Sequence, residues 1–71
     1  MALTIQKKAE ELRRLGYEVA DSIGTRTLTG EQVLYVNGTD LDEQFVDQLL
    51  GGADFAEVQY RRNIYLQSHS H

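Results

Sequence analysis

Tyr60, Arg61, Arg62 and Tyr65 place two guanidinium groups between two aromatic rings near the end of the chain. Such a group can grip a phosphate and stack on a base, so these four residues are candidate nucleic-acid contacts. The plainer reading is a pair of solvated arginines at a hairpin tip. A second basic group, Lys7 and Lys8 with Arg13 and Arg14, is offset by Glu10 and Glu11 at helical spacing. The formal net charge of −4, from seven basic and eleven acidic residues, also argues against a domain devoted to phosphate backbones.

Carboxylates form the other cluster: Asp40, Asp42, Glu43 and Asp47. They lack the glycine and alternating spacing of a calcium loop, and helix capping accounts for them. Together with Glu57 they could mimic nucleic-acid phosphates toward a basic partner, which would make the chain an acidic inhibitor. The only histidines, His69 and His71, lie at the C-terminus, where nothing holds a base against a nucleophile. There is no cysteine, which removes thiol nucleophiles and thiolate zinc sites. Gly24 and Gly30 are not followed by a phosphate-binding lysine, and Gly51-Gly52 comes after a helix pattern rather than before one. These observations predict no enzyme, metal, cofactor or small-molecule substrate.

The elements that must position these residues follow from periodicity. Thr4 can start a helix over 3–15, with Ile5, Ala9, Leu12 and Leu15 on one stripe and Gly16 at its end. A strand over 17–23 follows, and Gly24 to Gly30 reads as the reversal into Val33-Leu34-Tyr35-Val36, around which the chain is organised. A two-residue turn at Thr29-Gly30 would oppose Ile23 to Val36; a three-residue loop would oppose it to Tyr35. Asn37-Gly38 is a turn signal, and its match to a glycosylation pattern is set aside for want of a secretory signal. Beyond it a helix is expected, capped by Asp40 with Glu43 or by Thr39 with Asp42, carrying Leu41, Phe45, Val46, Leu49 and Leu50 inward until Gly51-Gly52. The remaining apolar runs, 55–60 and 64–66, read as two strands joined by Arg61-Arg62-Asn63 or as one bent strand.

The predicted fold is therefore α+β: a two-layer sandwich, helix-strand-strand-helix-strand-strand, whose antiparallel sheet carries two helices on one face. A single small domain over 1–67 with a flexible tail over 68–71 is expected. The polar start, without a long apolar run, predicts a cytoplasmic protein with no membrane segment. Because both faces of the central strand are apolar, one side of the sheet awaits a cover. Val33, Tyr35 and Tyr65 are the interface candidates. The functional expectation is a non-enzymatic interaction or regulatory module that binds a protein partner or self-associates as a homodimer. The alternative is a nucleic-acid-contacting accessory protein using the Tyr60-Arg61-Arg62-Tyr65 patch.

Overall fold

Thr4 opens the first helix by accepting the Lys7 amide at 3.2 Å, as an N-cap hydroxyl does. In the computed structural model, which describes residues 3–68, that helix is α1, Ile5–Arg14. Ile5, Ala9 and Leu12 are its buried stripe. Leu15, expected on that stripe, is the C-cap and stands exposed. The Tyr17 amide bonds Leu12 O at 3.1 Å and the Gly16 amide bonds Arg13 O at 3.0 Å, the paired closure that a left-handed glycine after a helix permits.

The sheet is an antiparallel meander in the order β1-β2-β3: β1 Val19–Thr25, β2 Gln32–Val36 and β3 Thr39–Asp42. Ile23 faces Leu34, neither of the partners the two short turns would have given it. The loop is longer: Arg26 N bonds Glu31 O at 2.8 Å, and Gly30 N bonds Arg26 O at 2.7 Å. The two-residue turn had the right side of the strand inward and the wrong register. A bulge between Val19 and Ile23 then shifts the pairing, so that Val19 faces Val36.

Asn37 and Gly38 both have positive φ, 51° and 80°, the geometry of a tight hairpin turn whose twist matches its strands. The four residues after it pair with β2, Leu41 opposite Leu34 and Asp42 opposite Val33. The expected helix start at 39–42 is thus a third strand. Helix α2, Glu43–Leu50, begins directly after it, with Asp42 as N-cap and no side-chain cap bond. Phe45, Val46 and Leu49 turn inward, and the chain leaves α2 through Gly51 and Gly52, as expected.

Residues 55–66 are not strands. They belong to α3, Phe55–Ser68. Asp54 starts it, its Oδ2 accepting the Ala56 amide at 3.2 Å, with Glu57 at the third helical position. The inward stripe is Phe55, Val58, Gln59, Arg62, Tyr65 and Leu66, each at least half-buried. Two of these are polar and hold β3: Gln59 Nε2 donates to Thr39 Oγ1 at 3.1 Å, and Arg62 Nε to Asp40 O at 2.8 Å. Replacing two apolar positions with polar ones erased the helical periodicity, and the surviving Val, Tyr and Ile residues imitated strands.

Among the described residues the fold is α+β around an antiparallel sheet, with three strands and three helices. One core joins Leu34, Val36 and Leu41 of the sheet to α1, α2 and Val58 of α3. Among the described residues no helix is long and apolar enough to cross a membrane. Ser68 closes α3; the rest of the expected tail, with His69 and His71, lies outside the described residues.

Candidate functional site

The strand alternation that sends Leu34 and Val36 into the core turns Val33 and Tyr35 to the other face of the sheet, and neither belongs to the core cluster. Their fates differ. Val33 is only 3% exposed, so this interface candidate offers no surface. It sits between Gly24 of β1 and Asp42 of β3, and Arg26, at the end of β1, spans β2 on that face to reach Asp42. Tyr35 is 39% exposed and lies over Gly24. A methyl group at position 24 would collide with the Tyr35 hydroxyl and stand 3.0 Å from Val33 Cγ2, so the missing side chain is what lets the ring lie across the sheet.

Beside Tyr35 is an open groove of about 250 Å³ lined by Glu18, Val19, Ala20, Asp21, Tyr35 and Gly38. Its walls are fixed from both ends. Asn37 clamps Glu18 by donating its amide to Glu18 O at 2.7 Å, while its Oδ1 accepts the Glu18 amide at 3.0 Å. Arg13 of α1 donates to Val19 O at 3.1 Å and Ala20 O at 3.1 Å, covering part of the free edge of β1. The groove therefore combines backbone held by Asn37 and Arg13 with an aromatic wall and two carboxylates.

Charge is unevenly committed around it. All seven Lys and Arg residues are in ion pairs within the chain. Eight of the eleven carboxylates are their partners. Of the other three, Asp54 caps α3 and Glu31 accepts from Thr29 and Tyr65. Only the Glu18 carboxylate is engaged by nothing among the described residues. Asp21 is loosely held, 3.5 Å from Arg13 with its side chain fully exposed; among the paired acids only Glu10, 3.7 Å from Lys7, stands farther from its cation.

The opposite side of the sheet face carries a charge-balanced network, two arginines on two aspartates. Arg26 pairs with Asp42 and, at 2.9 Å, with Asp40; Arg62 pairs with Asp40 as well. Burial would raise the Asp40 carboxyl, but the Arg62 hydrogen bond and charge, with Arg26, outweigh it and hold the group below its ordinary value. Lys8, bonded at 2.7 Å to both Asp47 and Glu43, is held above its ordinary value, the Asp47 hydrogen bond contributing most.

The four proposed nucleic-acid contacts do not form one surface. Tyr60 is 66% exposed. Arg61 turns to Glu57 at 2.8 Å and Gln48 at 2.7 Å, and Arg62 is committed to Asp40. Tyr65 packs edge-on against Phe45, ring centroids 5.6 Å apart, and donates to Glu31, so this interface candidate is also largely occupied. The acids of the phosphate-mimic reading are each ion-paired: Asp40, Asp42, Glu43, Asp47 and Glu57. Sequence reasoning missed Glu18, Asp21 and Gly24. The Asn37-Gly38 turn, legible in the sequence, is the signal that lay beside them: Asn37 bonds the Glu18 backbone and Gly38 lines the same groove.

No family model matches the chain, and neither a curated protein nor a solved structure matches it.

Proposed function

We propose that the chain is a small non-enzymatic interaction module that docks a protein partner through the sheet face centred on Tyr35. The observation that carries this reading is a half-exposed tyrosine, held flat by Gly24, on the side of the sheet away from the helix-packed core. Tyrosine supplies large contact area at small entropic cost, which is why it is enriched where proteins meet. A different protein is favoured over a second copy, because a two-fold face-to-face dimer would bring Glu18 and Asp21 of one copy near the same carboxylates of the other. Nucleic acid is disfavoured because every Lys and Arg among the described residues already has an internal partner.

Affinity capture from the native host, with the wild-type chain and Tyr35→Glu side by side, tests the reading. Both proteins should unfold at closely similar temperatures, since Tyr35 lies outside the core, and only the wild type should retain a discrete partner. Retention of the same proteins by both chains would refute it.

A further inference from the structure

The groove next to Tyr35 also specifies what kind of group its occupant presents. Glu18 brings a carboxylate with no partner of its own, and Asp21 brings one loosely held at 3.5 Å. Both stand at one end of a strand whose carbonyls already attract a guanidinium, since Arg13 donates to Val19 O and Ala20 O from the α1 side. Tyr35 adds an aromatic ring, and Gly38 leaves the approach from the turn open, with nothing within 4 Å of where a side chain would begin. A planar cation suits all of these at once: it can stack on the ring while its N–H groups reach carboxylates, which an ammonium does less well. The chain as a whole is acidic, and every Lys and Arg among the described residues is already ion-paired.

We infer that this groove takes an arginine side chain from a basic segment of the partner protein, seated between Glu18 and Asp21 against Tyr35. The inference rests on the docking reading above and gives the partner its chemistry. Charge complementarity supplies orientation and a faster encounter, so binding should weaken as salt rises.

The test uses the full chain, isotopically labelled for NMR, titrated with a short peptide alternating serine with arginine, and with the same peptide carrying citrulline in place of arginine. The arginine peptide should shift the amides of Glu18, Asp21, Tyr35 and Gly38 in a saturable way, and the citrulline peptide should not. Glu18→Gln should weaken binding by roughly threefold to fivefold, the value of one partly exposed ion pair. Because nothing else holds the Glu18 carboxylate, this variant should keep the wild-type spectrum elsewhere. Tyr35→Leu, which keeps apolar bulk and loses the ring, should weaken it by a factor of about two to five. Shifts scattered over the surface, equal binding of the citrulline peptide, or indifference to Glu18→Gln would overturn the inference. If those results came with loss of partner capture by Tyr35→Glu, the docking face would stand and only its arginine specificity would fall.

Discussion

Replacing Arg26 with methionine isolates the contribution of one charge to the stability of the sheet face. Asp42 is completely buried, and its Oδ1 takes both Arg26 bonds, Nε at 2.8 Å and Nη2; Oδ2 has no hydrogen-bond partner in the structure. Methionine keeps an unbranched apolar stem but leaves the whole carboxylate buried and unpaired. Removing one partner of a buried ion pair costs about 3–5 kcal/mol, far more than losing an exposed pair. A domain of this length has a total stability on the order of 4–10 kcal/mol, so the variant should lose roughly a third of it or more. Thermal unfolding followed by far-UV circular dichroism should show a midpoint lower by at least about 12 °C. Combining Arg26→Met with Asp42→Leu removes both charges. An apolar pair of similar volume is often as stable as the ion pair it replaces, so the double variant should be more stable than the single one. A loss below about 1 kcal/mol for Arg26→Met, or a double variant no better than the single, would refute the view that the buried Asp42 charge governs this site.

Other perturbations address separate links in the argument. Gly24→Ala should cost about 1–2 kcal/mol by denaturant unfolding, and combining it with Tyr35→Leu should recover much of that loss by removing the colliding hydroxyl and ring. Asp54→Ala should destabilise by about 1 kcal/mol if residues 55–68 start a helix there, and by nothing measurable if they are extended. For pH, the folded Asp40 carboxyl lies below its ordinary value of 3.8, so the unfolded chain takes up this proton first on acidification. The stabilisation is therefore complete above that value and lost as pH falls through the lower folded one, and Asp40→Asn should flatten the acid limb of a stability-pH curve. Lys8 behaves oppositely: its contribution is complete below 10.5 and lost as pH rises through the higher folded value, so Lys8→Met should flatten the alkaline limb.

How far the sequence revealed the fold depended on whether each element's inward positions were apolar. In α1 and α2 they were: Ile5, Ala9 and Leu12, then Phe45, Val46 and Leu49, lie where their spacing predicts. Helix α3 fills two inward positions with Gln59 and Arg62, whose value is in bonds to Thr39 and Asp40, partners that only the third dimension supplies. Strand β3 was hidden for a related reason. Asp40 and Asp42 resemble helix caps in sequence, and their role as acceptors for Arg26 and Arg62 requires strands and a helix that bring residues from 26, 40, 42 and 62 together. Tyr35 was legible as surface from strand alternation alone; Val33, one repeat away on the same face, is buried, which alternation alone does not indicate.

Exchanging a strand pair for α3 also changes where the molecule can be approached. A fourth strand beside β3 would have widened the sheet and spread any contact surface along it. Instead α3 lies along β3, bonding Thr39 and Asp40, and that edge is closed to further pairing. At the other edge, Arg13 occupies the carbonyls of Val19 and Ala20, and the bulge between Val19 and Ile23 breaks the regular ladder a pairing strand would need. With one edge covered and the other blunted at its start, the accessible feature with both shape and charge is the face at the beginning of β1. For the docking proposed above, the cost of binding would be reduced in advance: Asn37 and Arg13 already hold the backbone, Gly24 leaves room for the Tyr35 ring, and the Glu18 carboxylate has no bond among the described residues to give up.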